Sequence, residues 1–533
     1  MQVKLQAASS LYKISPKQRN IPVLREACAL SGEKFAFQIV MLAEKGFCSH
    51  TLSAEGVECG VRLRREIYVD GNASGGTFEC DDYYLKAARL PDILCPIGRE
   101  GVFASPGRSS LVWAEFSGLP AGQYRPQIIL RSEAGEVVAQ TEFSLTVYAG
   151  ALDKSDLLVT HWFHYDCMAD VCGFEPFTEE YCRALSPWIE NYVSHGNNVI
   201  LTPLFTPCLD TEVGGKRRVA QLIEVSRKNG KYSFGFQKLN TFIDFMLARG
   251  IEYFEMSHLF TQWGAQYCPN IVVTENGAAK EEFGWAVSSQ DASYRAFLSE
   301  LLPQLTAFLE EKGVARRCLF HISDEPWDAT IETYKSHKAF LDRFLKNYTV
   351  IDALSSFEYA DIVDTPVVAV NHVKPFLEAG RRVWVYYCCG QTASYVTNAL
   401  VDMPSLRTRI LGFQLFLNGA AGFLQWGYNF YNTPLSKDKI NPYVDQAGGG
   451  AFPAGDPFIV YPGADGPVDS LRSELFFQAM QDYRICLTAA RRTGAERVRD
   501  LIRSCGWEGY EVYPHSEEQF EKLRSLLLEM ASE

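Results

Sequence analysis

The chain has 533 residues, of which 47% are hydrophobic and 22% charged, and its formal net charge is −13. This composition is typical of a globular protein with more than one domain, and the acidic balance without a Lys/Arg-rich run argues against nucleic acid or an anionic membrane as a partner. No stretch of about 18 uncharged apolar residues occurs, so the sequence predicts no membrane span.

The first 150 residues are predicted to form an all-β domain. Runs such as EKFAFQIVMLA, SSLVWAEFSGL and VVAQTEFSLTVY are rich in β-branched and aromatic residues, and turn signals such as LPAGQ and SEAGE separate them. This spacing predicts a β-sandwich over residues 1–150. The polar N-terminus, MQVKLQAASS, does not have the pattern of a signal peptide, so we expect a cytoplasmic protein whose 15 cysteines are reduced thiols.

Residues 151–430 alternate short apolar runs with helical stretches, which is the pattern of parallel β/α units. The predicted strands are residues 156–164, 198–205, 253–260, 317–325, 349–355, 366–371, 382–389 and 421–429, and the predicted helices include 179–195, 239–249, 293–312 and 333–346. Eight strands with helical crossovers predict an α/β fold, a closed (β/α)8 barrel preceded by the sandwich. An open doubly wound sheet is the alternative, but no dinucleotide or P-loop motif follows any strand. Residues 431–533 are predicted to be a loop and helical extension packed on the barrel.

Polar and aromatic residues are concentrated at the predicted carboxyl ends of the strands, where (β/α)8 barrels carry their active sites. Aromatic rings mixed with imidazole, amide and carboxylate groups are typical of a sugar site, since rings stack on a pyranose and polar groups bond its hydroxyls. The candidate sugar contacts are Trp162, His164, His258, Trp263, His321, Asn371, Tyr386, Tyr387, Trp426, Tyr428 and Asn429. Each of these alone has a structural explanation as a core aromatic or a satisfied polar residue. The remaining acids near strand ends, Asp166, Asp352 and Asp361, are expected to be helix caps or solvated charges. No closely spaced histidine pair occurs, so we expect no metal and no cofactor.

The run CLFHISDEPWDAT places Asp324 and Glu325 side by side at the end of a predicted buried strand. Neighbours in a regular strand face opposite sides, but both can face one pocket at the strand's tip, where Pro326 forces a turn. A like charge so close is expected to raise the pKa of one carboxyl, which gives one proton donor and one anion near neutral pH. The structural alternative is that one of the acids caps the following helix.

Adjacent acids do not easily straddle a glycosidic bond as the carboxylates of most glycosidases do, about 5 to 9.5 Å apart. A substrate that brings its own nucleophile fits the spacing better. The oxygen of a 2-acetamido group attacks the anomeric carbon, one carboxylate holds the acetamido N–H, and the other protonates the leaving oxygen. The spacing therefore predicts a retaining reaction of the hexosaminidase type.

Several long motifs closely resemble glycoside hydrolase family 123. They are HISDEP, LTPLFTPCLDTEVGG, EYFEMSHLFTQWGA, GFLQWGYNFYN, and GDPFIVYPG followed by SLRSELFFQAMQDYR, and the resemblance covers essentially the whole chain. It implies a β-N-acetylgalactosaminidase in which Asp324 orients and polarises the 2-acetamido group and Glu325 is general acid and then general base. Members of the family often act outside the cytoplasm, so the expected cytoplasmic location favours small imported oligosaccharides over large glycoconjugates.

Two alternatives remain open from the sequence. The chain is alternatively a β-hexosaminidase for another acetamido sugar, such as N-acetylglucosamine, or a catalytically silent carbohydrate-binding relative. The linkage, the aglycone and the role of the sandwich are not indicated, although the sandwich offers a surface for a homodimer.

Overall fold

The computed structural model describes residues 3–71 and 78–532. The N-terminal part is all-β, as the alternating pattern predicts. Its strands are β1 (Val3–Ser9), β2 (Glu26–Leu30), β3 (Phe35–Ala43), β4 (Phe47–Glu55), β5 (Gly60–Asp70), β6 (Arg89–Pro96), β7 (Val102–Ala104), β8 (Ser109–Ser117), β9 (Gly122–Tyr124), β10 (Gln127–Arg131), β11 (Val137–Glu142) and β12 (Ser144–Tyr148).

These strands form three sheets around a common core. A five-stranded antiparallel sheet has the order β1-β3-β8-β5-β6, a four-stranded sheet the order β11-β10-β4-β7, and a three-stranded sheet the order β2-β12-β9. Alternate residues of β3, among them Phe37, Ile39 and Met41, are buried in this core. The ring of Phe37 meets those of Phe116 and Phe143 edge to face, with centroids 5.1 and 4.9 Å apart. The period-two pattern of the sequence is therefore the inward face of the sandwich.

The following segment alternates strands and helices. Its elements are β13 (Leu158–His161), α1 (Tyr165–Cys172), α2 (Glu179–Ser194), β14 (Val199–Thr202), β15 (Glu224–Lys228), β16 (Lys231–Gly235), α3 (Gln237–Leu247), β17 (Tyr253–Met256), β18 (Ile271–Glu275), β19 (Ala278–Phe283), α4 (Ala292–Glu311), β20 (Cys318–Phe320), α5 (Ile331–Leu345), β21 (Thr349–Ala353), β22 (Thr365–Ala369), α6 (Lys374–Glu378), β23 (Trp384–Tyr386), α7 (Ser405–Arg409), α8 (Leu411–Leu417) and β24 (Gly422–Gln425). After β24 come β25 (Val460–Gly463), β26 (Gly466–Asp469), α9 (Leu471–Thr493), α10 (Ala495–Ser504) and α11 (Glu517–Ser532).

The predicted (β/α)8 barrel is confirmed. The eight predicted strands pair in the order β13-β24-β23-β22-β21-β20-β17-β14, and each of these neighbouring pairs is parallel. Each strand has only three to five residues. The predicted runs are longer because they include the loop residues beyond the carboxyl ends, which are the residues that build the site.

Asn198 joins the first and second barrel strands, between which no strand ladder forms in the described residues. Its side-chain oxygen accepts a hydrogen bond from the N–H of Val159 at 2.8 Å, and its own N–H donates to the Val159 carbonyl at 3.1 Å. Its amide nitrogen donates to the Leu157 carbonyl at 3.0 Å. Asn198 thus supplies three hydrogen bonds between the two ends of the eight-stranded sheet, and the Tyr192 hydroxyl adds a bridge between the carbonyls of His161 and Val199.

Two loops at the carboxyl ends of the barrel strands carry a second, small sheet. Strands β15 and β16 come from the loop after β14, β18 and β19 come from the loop after β17, and the four pair in the order β16-β15-β18-β19. The sequence analysis did not predict this sheet. Its two hairpins are brought together only because β14 and β17 are neighbours in the barrel.

Helix α9, which contains the SLRSELFFQAMQDYR motif, joins the barrel to the sandwich. Buried polar contacts carry the joint: Arg472 with Asp92, Glu474 with Arg64, Gln478 with Ser10, Gln481 with Lys34, and Asp482 with Arg524, which also pairs with Glu33. No helix within residues 3–71 and 78–532 has the length and apolar character needed to cross a membrane. All 15 cysteines are free thiols.

Arg64 on β5 is the most heavily paired cation of this joint. Its guanidinium, 1% exposed, contacts Glu115 of the sandwich and, across the interface, Asp469 at 2.5 Å and Glu474 at 2.6 Å. Removing one partner of a buried ion cluster leaves the other charges desolvated and uncompensated.

We expect Arg64→Met to lower the free energy of unfolding by about 3 to 5 kcal/mol. The substitution leaves buried carboxylates without their cation, while it keeps most of the apolar part of the side chain. The matched control is Arg62→Met, because Arg62 lies on the same strand and pairs with Asp469 but is 55% exposed. That change should cost less than about 1 kcal/mol. Urea unfolding of both variants checks the prediction, and equal losses would contradict it.

Candidate active site

A cavity opens at the carboxyl ends of the barrel strands. Its wall consists of aromatic and aliphatic side chains with a few polar groups, which is the composition of a small-ligand site. The lining residues are Trp162, Leu209, Asp210, Gln262, Trp263, Asp324, Glu325, Ala353, Tyr386, Cys388, Cys389, Leu424, Trp426 and Phe452. The structure thus brings together six predicted residues: Trp162, Trp263, Asp324, Glu325, Tyr386 and Trp426.

Asp324 and Glu325 both line this cavity because the backbone turns between them and the helix that follows. Strand β20 ends at Phe320, and Glu325 has a φ of +45°, in the left-handed region that a non-glycine residue occupies at a cost of about 1 to 3 kcal/mol. The N–H of Trp263 donates to the Asp324 carbonyl at 2.7 Å and holds the turn against the neighbouring loop. Helix α5 begins only at Ile331, so neither acid occupies its N-cap.

The Glu325 carboxylate is held by a phenol from the opposite side of the barrel. The hydroxyl of Tyr386, at the end of β23, donates to Glu325 Oε1 at 2.7 Å. Burial, together with the neighbouring Glu325 charge, raises the pKa of Tyr386 well above its usual range, so this phenol remains a donor. Glu325 itself is exposed toward the cavity mouth. Its orientation is fixed while one of its carboxylate oxygens stays available.

The Asp324 carboxylate lies deeper and has a different environment. Burial raises its pKa well above the usual range, the Glu325 carboxylate raises it further, and the nearby His321 cation opposes both. Within the described part of the chain, no side chain or backbone N–H donates a hydrogen bond to its oxygens. An unsatisfied carboxylate in a partly buried wall is a ready acceptor for a ligand N–H or O–H.

Beneath Asp324 lies a buried charged cluster centred on His321. Its Nε2 is 2.5 Å from Glu255 Oε1 and its Nδ1 is 2.9 Å from Asp352 Oδ1, and all three side chains are at most 1% exposed. Burial alone would lower the pKa of His321, but the hydrogen bonds and charges of Asp352 and Glu255 prevail and raise it to about 10. His321 is therefore an imidazolium at neutral pH. Asp352, expected from the sequence to be a cap or a solvated charge, is instead the inward-facing anion of β21.

Both anions of this cluster have further donors. Glu255 accepts from the Trp162 indole N–H at 2.7 Å and from the Thr160 hydroxyl at 3.0 Å. Asp352 accepts from the Tyr334 hydroxyl at 2.5 Å. The hydrogen bond from Trp162 to Glu255 fixes the indole ring in the cavity wall. The cluster therefore positions a wall residue and also places charged groups below Asp324.

His258 and His321 stack face to face, with ring centroids 4.2 Å apart and planes inclined by 21°. Burial, and then the charge of His321, lower the pKa of His258 well below its usual range, so its ring is neutral. These two histidines were predicted as sugar contacts, but the structure places both below the cavity wall.

Two buried groups bring metal-ligand atoms within 4.8 Å of one another: His258 with His321 and Asp352, and His195 with Asp469 and Glu474. In the first group His321 and Asp352 bind each other, and in the second the carboxylates pair with Arg64. The donor atoms are therefore engaged in ion pairs, except for the ring nitrogens of His258, which have no hydrogen-bond partner among the described residues.

His164 and Asn429, also predicted as sugar contacts, bind each other's chain segment instead. The Asn429 side-chain oxygen accepts from the His164 N–H at 2.8 Å, and its amide nitrogen donates to the His164 carbonyl at 3.1 Å. The His164 ring lies between the Trp426 carbonyl at 2.9 Å and an Arg217 nitrogen at 3.1 Å. They connect the loops after the first and eighth strands, behind the cavity wall.

Tyr387, Tyr428 and Asn371 are the remaining predicted contacts that do not line the cavity. Tyr387 follows Tyr386 and faces outward, where its ring packs 5.0 Å from Phe423. The Tyr428 hydroxyl donates to the Asn191 side chain of α2 at 2.8 Å. Asn371 is exposed, and its oxygen accepts from Gln391 at 3.1 Å.

The wall also contains Asp210, which the sequence reasoning missed as a site residue. Its φ is +41°, and Oδ2 accepts the Leu435 N–H at 3.1 Å. Burial raises its pKa to about 6. Across the wall, the Trp426 indole donates to Asp456 at 3.0 Å, and burial raises the pKa of Asp456 to about 7. Asp210 lies in the motif LTPLFTPCLDTEVGG and Asp456 in the motif GDPFIVYPG. Their presence in these motifs was the feature of the sequence that could have indicated them as site residues.

A (β/α)8 barrel with an aromatic-walled cavity and two adjacent carboxyls at a strand tip is an arrangement suited to an enzyme that acts on carbohydrates. The model of the glycoside hydrolase 123 catalytic domain matches residues 162–488. The chain therefore belongs to glycoside hydrolase family 123. A comparison with curated proteins finds no match.

Among solved structures, the chain is similar over its full length to a family 123 glycoside hydrolase from Clostridium perfringens, studied for glycolipid glycan hydrolysis. The TM-score is 0.75 at 13% identity, covering 100% of this chain and 97% of that one. A β-glucuronidase 3 from Bacteroides uniformis gives a TM-score of 0.31 at 11% identity, covering 90% of this chain and 51% of that one. A putative β-galactosidase from Bacteroides fragilis gives 0.30 at 8%, covering 84% and 59%. The first match supports the two-domain fold.

We expect the free energy of unfolding to fall as pH rises from about 7 to about 10. Folded His321 keeps its proton up to a pKa of about 10, whereas an unperturbed histidine releases it near 6.5. Its stabilisation is complete below pH 6.5, declines above that value and is lost once the pH passes 10.

Urea unfolding of the wild type and of His321→Asn across this pH range measures the effect. His195, whose pKa the Asp469 charge raises against burial to about 9, contributes in the same direction and remains in the variant. The variant's stability should thus decline less steeply without becoming independent of pH. Parallel curves would show that His321 is not the titrating group.

Proposed function

We propose that this family 123 enzyme removes terminal β-linked N-acetylgalactosamine with retention of configuration, using the substrate's own 2-acetamido group as nucleophile. The observation that carries the proposal is that the adjacent residues Asp324 and Glu325 line one cavity. Two consecutive carboxyls leave no space for a sugar between them, whereas substrate assistance needs one carboxyl at the acetamido group and the other at the leaving oxygen.

Asp324 is assigned to the acetamido group. In the first step the acetamido oxygen bonds to the anomeric carbon, and the bond from that carbon to the leaving oxygen breaks. During this step the Asp324 carboxylate accepts a hydrogen bond from the acetamido N–H. The absence of protein donors to this carboxylate, within the described residues, supports the role. A donated N–H favours the ionised form of a carboxyl whose pKa burial has raised, so substrate binding itself charges Asp324. The carboxylate then stabilises the positive oxazolinium-like intermediate.

Glu325 is assigned to proton transfer. It gives a proton to the departing oxygen and later takes one from the water that opens the intermediate, which restores its starting state. Its exposure toward the cavity mouth, where an aglycone leaves and water enters, supports this role. The Tyr386 hydroxyl occupies one oxygen, so the other is directed to the substrate.

Trp162, Trp263 and Trp426 are proposed to bound the sugar ring. Each lines the cavity, and indole rings present flat apolar faces to a pyranose. We propose an oligosaccharide or glycoconjugate that ends in the acetamido sugar as substrate, and a cytoplasmic location.

We expect Asp324→Asn and Glu325→Gln to differ in their dependence on the leaving group. Glu325→Gln should lower turnover about 10²- to 10⁴-fold on a poor leaving group and far less on nitrophenol, which needs little protonation. Asp324→Asn should cost about 10²- to 10³-fold on both, because it acts on the nucleophile.

Turnover of an alkyl and a nitrophenyl glycoside by each variant measures this contrast. Asp328→Asn is a matched control, since Asp328 is an exposed carboxylate just after the pair. Identical leaving-group profiles for the two active-site variants would refute the roles assigned to them.

We expect the nitrophenyl β-glycoside of N-acetylgalactosamine to be cleaved at least about tenfold more efficiently than that of N-acetylglucosamine, since the sugars differ in a C4 hydroxyl contact. Nitrophenyl β-galactoside should not be cleaved, because it carries no acetamido nucleophile. Initial rates on this panel decide both points. Preference for the glucosamine form would overturn the sugar assignment, and hydrolysis of the galactoside would overturn substrate assistance.

A further inference from the structure

Two thiols that the proposed mechanism does not use lie in the wall of the catalytic cavity. Cys388 and Cys389 directly follow β23 and are the only adjacent cysteines in the sequence. Both line the cavity together with Asp324 and Glu325, and both are partly exposed free thiols. They are therefore accessible to a small molecule that enters the sugar site.

The loop after β23 places both sulfur-bearing side chains in the same cavity wall. A hydrogen bond with Cys389 is the main reason why the pKa of the Cys388 thiol lies well above its usual range, and burial adds to it. The Cys388 sulfur lies 3.3 Å from Gln391 Oε1, which also accepts the Cys388 N–H at 2.9 Å. Gln391 thus fixes the backbone and the side chain of Cys388.

We propose that Cys388 and Cys389 form a dithiol site for trivalent arsenicals of the type R–As=O, and that occupation of this site closes the cavity to sugar. Two neighbouring sulfurs can bind one soft atom together, which separate thiols cannot do. In the reaction two As–S bonds form, the As=O oxygen leaves, and both thiol protons leave with it as water. Arsenic stays trivalent throughout, so no oxidant or reductant is needed.

The environment of the pair favours this class of reagent over alkylating agents. Alkylation requires a thiolate, which the raised pKa of Cys388 disfavours at that residue, whereas condensation with R–As=O leaves both sulfurs without charge in a partly buried wall. The exposed cysteines Cys48 and Cys80 each stand alone in the sequence and offer one sulfur only.

Closure follows from the position of the pair. Cys388 lies two residues after Tyr386, whose hydroxyl holds Glu325 at 2.7 Å, and all three residues line the same space. An aryl group on arsenic would fill the volume that a sugar ring needs. This part of the inference rests on the proposed function, while binding of the arsenical does not.

The test uses the full chain and phenylarsine oxide. After one equivalent and removal of the excess, intact-mass analysis should show one phenylarsenic per chain, and peptide mapping should locate it at residues 388–389. Hydrolysis of the nitrophenyl glycoside should be lost in parallel and restored by 2,3-dimercaptopropanol, but not by a monothiol at the same thiol concentration.

Three variants make the result specific. Cys388→Ser and Cys389→Ser should each raise the arsenical concentration for half-modification at least about 100-fold, because the second sulfur no longer binds intramolecularly. The double variant Cys48→Ser/Cys80→Ser keeps the adjacent pair and should match the wild type.

An adduct that maps elsewhere, or one that either single Ser variant retains at wild-type concentration, would overturn the dithiol site. An adduct at 388–389 with undiminished hydrolysis would overturn closure alone. If the untreated protein hydrolyses none of the glycosides, the proposed function fails, while mass analysis still decides the site.

Discussion

The candidate site depends on the backbone conformation of one residue, Glu325. In a regular strand, consecutive side chains face opposite surfaces of the sheet, so two adjacent acids would not face the same cavity. The φ of +45° at Glu325 breaks this alternation just past the end of β20, and the hydrogen bond from Trp263 to the Asp324 carbonyl holds the broken geometry. Strained backbone persists only where surrounding contacts determine it. At Glu325, the strained conformation allows two carboxyls to line one cavity at different depths.

The buried cation below this turn explains how two acids can be tolerated there. Burial raises the pKa of Asp324, and the neighbouring Glu325 charge raises it further. His321, kept protonated by Glu255 and Asp352, is the nearest compensating charge. The cluster has one cation and two anions, so it does not neutralise the cavity. Within it, His321 has the largest effect on the deeper acid and lowers the pKa of Asp324, whereas the charges of Asp352 and Glu255 raise that pKa.

The sequence allowed the barrel and the acid pair to be predicted, because both are local patterns: apolar runs at barrel spacing, and two carboxyls before a proline. The sequence did not allow us to predict which strand-end side chains point into the cavity and which point away from it. Tyr386 and Tyr387 end the same strand, and only the exact register sends one to Glu325 and the other to Phe423. Likewise Asp352 reads as a solvated acid until three barrel strands bring His321 and Glu255 beside it. The small sheet β16-β15-β18-β19 was missed because its hairpins pair across two loops.

Helix α9 shows that a motif shared by a family need not mark chemistry. Two buried charged residues of SLRSELFFQAMQDYR bind the sandwich, Arg472 through Asp92 and Glu474 through Arg64. Buried ion pairs gain little over apolar packing but are very sensitive to loss of a partner, so they fix one mutual orientation of the two units. The same helix packs on α7 and α8, which precede β24 and its site residue Trp426. Through α9, the sandwich therefore supports the helices that precede β24, the strand that leads to Trp426 in the cavity wall.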